Sequence, residues 1–182
     1  IIPENLVDEP TITTDTTTGK PTAISNPRYA KLHQLMSTGY AETYQGGNYE
    51  HEGSFQGSEV KTTKLRIILT KDIQNLADDL LFKETINKSI EDLEADPRFK
   101  HYTGLSELSY LIYQRDYFKR TGKHVDDKGW TWLPESTWQL SGRVSYAVWV
   151  PGVGQLYFGS NARGYRGGVL GCRLAGSFEI NI

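Results

Sequence analysis

The segment from Gly129 to Ile182 constrains this chain more than any other stretch. It holds all four tryptophans and ten of the eighteen glycines in under a third of the length. Four arginines, no lysine and two acids lie there, whereas residues 1–128 carry sixteen basic and twenty acidic side chains. Frequent glycines punctuate the chain with turns, so from Trp138 onward it reads as short strands divided by turns. Gly, Trp, Tyr and Arg with few Lys or Asp is also the composition of a recognition surface, where rigid amphipathic rings give contact area at low entropic cost. A Trp-rich core with Gly-rich turns uses the same residues. Both hold together in a small β-structure, because its strands have an inside and an outside.

The rest of the composition bounds the class. A chain of 182 residues is expected to form one compact domain, residues 28–182, behind an extended or flexible leader, residues 1–27. High aromatic and modest apolar content favours an α+β or β-rich fold over a helical bundle. A net charge of −2 argues against nucleic-acid binding, which needs a basic face. No apolar run is long enough to insert across a membrane, and Ile1-Ile2-Pro3 does not open a secretory signal. The single cysteine permits no internal disulfide, and nothing indicates the compartment.

In chain order, the leader contains the run from Thr11 to Thr18, extended and suited also to an edge strand. Leu32, Leu35 and Met36 predict a short helix after Pro27, stopped at Gly39. Tyr40 to Gly57 reads as a polar, aromatic loop or a pair of weak strands. Val60 to Leu69 predicts a strand, with Thr70 as the N-cap of a helix whose stripe is Ile73, Leu76, Ala77, Leu80 and Leu81. A second helix is predicted over Lys83 to Ala95, with Ile86, Ile90 and Leu93 inward and Asp96-Pro97 ending it. The acids Glu91, Asp92, Glu94 and Asp96 read as a solvated helix face, since they lack the glycine turn and closing bidentate Glu of a calcium loop. A third helix is predicted from Ser106 to Gly122, with Leu108, Leu111, Ile112, Arg115 and Phe118 as its stripe and Tyr110, Tyr113 and Tyr117 on its flank. Strands follow at Val144–Val150, Gln155–Phe158, Val169–Leu174 and Ser177–Ile180, with a tight reversal at Pro151–Gly154.

Few residues suggest chemistry. Glu50-His51-Glu52 offers metal-ligand types, but on a strand the two acids share one face and the His takes the other. His33, His51, His101 and His124 are scattered, with no zinc spacing. No nucleophile elbow or phosphate loop is present. Glu135, following Pro134, reads as part of a turn rather than as a catalytic acid, and Cys172 as a small core hydrophobe. No metal and no cofactor are expected.

Two motifs carry a resemblance. Trp132-Leu133-Pro134-Glu135-Ser136-Thr137-Trp138 resembles the Leu-Pro-Thr-Glu-x-x-Trp signature of C-type-lectin-fold domains related to formylglycine-generating enzymes, with one residue fewer between Leu133 and Trp138. Gly171-Cys172-Arg173-Leu174-Ala175 resembles their terminal Gly-Phe-Arg-Leu/Val-Ala strand. The resemblance spans roughly residues 104–180. It implies a C-type-lectin-like α+β fold, with helices packed on small, mostly antiparallel twisted sheets, in which Trp132, Trp138 and Leu174 are scaffold. Within this class the chain resembles most the variable proteins diversified by retroelements in phages, bacteria and archaeal viruses, the archaeal-virus members nearest. That implies a non-enzymatic recognition protein, found on a virion or cell surface, whose partner is a protein or other cell-surface ligand. Its contact set is then Ser141, Arg143, Ser145, Tyr146, Trp149, Tyr157, Asn161, Arg163, Tyr165 and Arg166. The alternation over Val144–Val150 leaves open whether Ser145, Ala147 and Trp149 or Val144, Tyr146, Val148 and Val150 face outward. Two alternatives stand beside this one: an oxidoreductase relative, for which the paired cysteines of the copper site are missing, and a structural component of a virion or phage.

Overall fold

The computed structural model describes residues 11–14, 21–25, 48–51, 57–58, 65–138, 142–152 and 154–180. The protein is a mixed α+β structure. Its largest unit is a six-stranded sheet in which β3 (Asn48–His51), β8 (Gln155–Asn161), β7 (Val144–Val150) and β6 (Trp130–Trp138) lie side by side. The outer edge of β6 is shared. Its first residues pair in parallel with β9 (Leu170–Cys172), and its last two pair with β4 (Gly57–Ser58). β3 runs parallel to β8, and the β6–β7–β8 meander is antiparallel. A separate antiparallel pair joins β5 (Leu65–Thr70) to β10 (Ala175–Ile180). β1 (Thr11–Thr14) and β2 (Pro21–Ser25) pair with each other, within the segment expected as a leader. The helix expected after Pro27 lies outside the described residues.

The Leu-Pro motif accounts for a local break in β6. Register with β7 shifts between Leu133 and Thr137, because Pro134 has no N–H to give the ladder. Residues 134–136 have no register partner in β7, and Ser136 Oγ accepts the Glu107 N–H at 2.9 Å. One orphan donor in the first turn of the preceding helix is thereby satisfied from across the fold. That helix, α3 (Glu107–Thr121), is bounded as its sequence predicts. Ser106 Oγ accepts the Ser109 N–H at 3.1 Å, and Gly122 closes the helix with φ +69°, a left-handed cap that glycine adopts without strain.

The two earlier helices are shorter than their apolar spacing predicts. Thr70 is not an N-cap; it ends β5 and its hydroxyl donates to the Leu174 carbonyl at 3.0 Å. In place of one helix from 70 to 81 stand a 3-10 turn, Leu76–Asp78, and α1, Leu80–Lys83. Asp79 caps α1 by accepting the N–H groups of Leu81 and Phe82. Asp and Asn side chains compete with the backbone for such bonds and so cut a helix into pieces. Leu80, expected in the buried stripe, is 87% exposed. The second helix is likewise confined to α2, Ile90–Ala95, opened by a reciprocal box between Ser89 and Asp92. The residues before it belong to the sheet's wall: buried Thr85 accepts the Cys172 N–H and donates to the Phe82 carbonyl, and Asn87, at φ +62°, donates its N–H to Leu170.

Two hydrophobic cores flank the meander. On one face Leu133, Ala147, Trp149, Leu156 and Phe158 pack with Tyr110, Leu111 and Tyr117 of α3. On the other Trp132, Val144, Tyr146, Leu170, Cys172 and Leu174 pack with Leu76, Phe82, Ile90, Leu93 and Phe99. β7 is therefore buried on both sides, and of the two outward sets the sequence leaves open neither is outward; only Val150, at the strand's end, is exposed. A central strand covered on both faces loses the one-sided alternation of an exposed sheet. α3 is also turned from its expected stripe. Tyr110 and Tyr117 are buried while Ile112 is exposed, because the Tyr110 hydroxyl reaches Asp126 Oδ2 at 3.0 Å and the Tyr113 hydroxyl the Ile73 carbonyl at 3.1 Å. A phenol with a polar partner can be buried ring-first.

His124 sits in this first core, its ring stacked on Trp149 at 3.3 Å and on Phe118 at 4.5 Å. Burial lowers its pKa to about 4, with Asp127 pulling it partly back. The unfolded chain, titrating near 6.5, then binds a proton that the native state refuses. Stability contributed by the neutral ring is full above pH 6.5 and lost as pH falls toward 4. The ring is partly exposed and both aromatic faces attract an imidazolium, so the loss is about 1–2 kcal/mol, not the full linkage value. Chemical unfolding between pH 7 and 4.5 should show this slope, and His124→Phe should abolish it.

Candidate ligand-binding surface

The contact set implied by the sequence separates into three groups. Ser145 and Trp149 are buried on the α3 side of β7, and Tyr146 on the opposite side. These three are frame, and cannot themselves be presented to a partner. The arginines are engaged within the chain. Arg143 is half-buried and donates to the Ser160 carbonyl. Arg163 pairs with Glu94, and Arg166 grips Asp92 through two bonds of 2.6 Å. Arg166, together with the N–H and hydroxyl of Ser89, holds the Asp92 carboxyl below the usual range. The acidic face of α2 is thus not simply solvated: it clamps the loop from Ala162 to Gly168, and the Arg163 carbonyl accepts the Ile90 N–H at 3.0 Å. What remains is Tyr157, half-buried, Asn161 at the end of β8, and Tyr165, 41% exposed. Ser141 lies outside the described residues.

These survivors join one aromatic cluster. Trp132, buried, is its centre: it meets Tyr146 edge-on at 6.5 Å and Tyr165 edge-on at 6.5 Å. Tyr146 in turn stacks on Trp130 at 5.0 Å and tilts against Tyr157 at 6.2 Å. Two buried rings therefore hold three partly open ones, Trp130, Tyr157 and Tyr165, drawn from β6, β8 and the clamped loop. The Trp132 indole donates to the Lys88 carbonyl at 3.1 Å, which fixes the central ring. Gly159 makes the arrangement possible. A Cβ there would stand 2.5 Å from the Tyr146 hydroxyl and 2.9 Å from the Tyr157 ring, so any side chain would push both rings aside. Trp130 is absent from the contact set expected from sequence. Its signal was the two-residue step to Trp132, which places both indoles on one strand face.

Polar chemistry around the cluster is slight. Among the described residues no group of three or more His, Cys, Asp or Glu could hold a metal ion. The Glu50-His51-Glu52 reading rests on side chains outside the described residues. Cys172 is buried beside Trp132, and burial pushes its thiol up to about 12; a thiol so disfavoured as thiolate is a poor nucleophile. No described helix is long and apolar enough to cross a membrane. Comparison with known protein families, with curated proteins and with solved structures finds no match to this chain.

Proposed function

We propose that this is a non-enzymatic binding protein with a C-type-lectin-like scaffold, which presents Trp130, Tyr157 and Tyr165 to a protein or cell-surface ligand. The observation that carries this reading is the mounting of three partly open aromatic rings on two buried ones within a rigid sheet. Rings held in place before contact lose little entropy on binding, and Trp and Tyr dominate the energetics of interfaces. The motif residues support the same division of labour. Trp132, Arg173 and Leu174 are buried frame, while Tyr157 and Tyr165 lie on the strand and loop between the motifs and Trp130 stands just before the first. The raised thiol pKa of Cys172 gives the oxidoreductase alternative no support from that residue.

Sibling sequences from one source test the reading. Substitutions should concentrate at Trp130, Tyr157, Asn161, Tyr165 and their exposed neighbours, with Trp132, Arg173 and Leu174 fixed. An even spread over buried and exposed positions would overturn it. On the protein itself, alanine at Tyr157 or Tyr165 should lower affinity for a ligand found on a glycan and cell-surface protein array by tenfold or more, on the scale of an interface anchor. The melting temperature should move by only a few degrees. Unchanged affinity in both variants would reject the surface.

A further inference from the structure

The open rings are not held alike. Trp130 and Tyr157 stand on β6 and β8, where the strand ladders fix the backbone. Tyr165 stands on the segment between β8 and β9, and from Asn161 to Val169 no residue is buried. The ends are secure: Asn161 pairs with Val144, and Leu170 is fully buried. Between them the segment has no apolar anchor in the core, the condition under which a loop opens at little cost.

What holds it is polar. The Ile90 N–H reaches the Arg163 carbonyl at 3.0 Å, and the Tyr165 N–H closes a turn on the Ala162 carbonyl at 3.0 Å. Arg163 pairs with Glu94, and Arg166 grips Asp92 through two bonds of 2.6 Å. Tyr165 lies between the two arginines in the chain, and its ring meets Trp132 edge-on at 6.5 Å. We propose that residues 162–168 form a strap clasped to α2 by Arg163 and Arg166, and that ionic strength sets how firmly it holds Tyr165 beside Trp132. All four clasp side chains are partly exposed, so salt reaches them: the screening length falls to about 3 Å at about 1 M. Each exposed pair is worth at most about fivefold in a local equilibrium, and the two-bond grip of Arg166 stands at the top of that range. Two such pairs are enough to tune a segment with no buried residue, and too weak to lock it. The part this strap plays in recognition rests on the aromatic-surface reading; the strap itself does not.

The test is amide hydrogen exchange, followed by NMR on the full chain without ligand. Raising NaCl from about 20 mM to about 1 M should speed exchange at Ile90 and Tyr165 by about two- to fivefold. Leu93, whose N–H bonds to the Ser89 carbonyl at the start of α2, should not change. Arg166→Gln leaves the Ser89–Asp92 box in place. It should give the faster rates already at low salt, respond less to added salt, and weaken the NOE between the Tyr165 and Trp132 rings. Arg166→Lys should fall between, since an ammonium keeps the charge without the paired geometry. Salt-independent exchange at Ile90 and Tyr165, full protection of both in Arg166→Gln, or Leu93 accelerating in step with them would each overturn the strap. All three would leave the aromatic surface to its own affinity test.

Discussion

Replacing Asp126 with Asn lowers the stability of this protein by about 3–5 kcal/mol, the cost of breaking one side of a buried ion pair. Asp126 and Arg173 are both fully buried, and the guanidinium meets the carboxylate through Nη2 at 2.9 Å and Nε at 3.1 Å. The remaining valences are filled: Tyr110 donates its hydroxyl to Asp126, and Arg173 donates to the Gln74 carbonyl at 2.7 Å. Burial pushes the Asp126 carboxyl up while Arg173 pulls it down. Burial alone would lower the Arg173 guanidinium, but Asp126 raises it overall. Removing the carboxylate therefore leaves a buried cation with no counter-charge. Asn is the informative replacement, because Asp126 sits at φ +55° and Asn tolerates that conformation nearly as well. The Asp126→Asn loss thus reports charge, not backbone strain. Denaturant titration with an unchanged slope measures it. A loss below about 1 kcal/mol would mean that the pair is not what holds the 124–129 connector against the Arg173-Leu174 link between β9 and β10. The double variant Asp126→Asn, Arg173→Met should recover part of the loss, since no lone charge remains.

The second large effect is steric. In Gly104→Ala the new Cβ would stand 2.2 Å from Pro134 Cδ and 2.5 Å from Cγ. The obstacle is a pyrrolidine ring fixed in the β6 bulge, not the end of a flexible side chain, so backbone must move. Overpacking of this kind costs about 1–3 kcal/mol, and the stiffness of the ring puts this site at the upper end. Thr103, next in the chain, is bridged to Ala175 by backbone bonds of 2.8 and 2.7 Å, so the strain reaches the β5–β10 pair. Thermal unfolding of Gly104→Ala should show a clear drop in melting temperature. The control is Gly152→Ala, where a Cβ meets no other group within 4 Å, and it should change little. Equal behaviour of the two variants would mean that the contact with Pro134 relaxes without cost.

The candidate surface shows how far side-chain type carries an argument and where it stops. Tyr, Trp and Arg are favoured at interfaces, and that preference nominated Trp149 and Arg166 equally with Tyr165. Trp149 proved to be a stacking partner of His124 in the core, and Arg166 a clasp on Asp92. Residue type cannot separate these outcomes, because a ring that is good at an interface is good in a core for the same reason. Trp130 was overlooked for the converse reason: it lies just outside the stretch between the two motifs, yet the strand period placed it beside Trp132.

What the sequence by itself determined is local. It set the ends of α3, because Ser106 and Gly122 act on the backbone within a turn of where they stand. It set the reversal at 151–154, and the β6 break at a proline that cannot donate. It identified Leu76, Ile90 and Leu93 as inward, since a period is visible in the residues that carry it. Only the tertiary structure decided which faces of β7 were covered, that α2's acids would meet Arg163 and Arg166 some seventy residues away, and that Asp126 would find Arg173. Those outcomes depend on which surfaces reach each other after the chain has folded back on itself, and no spacing along the chain encodes that meeting.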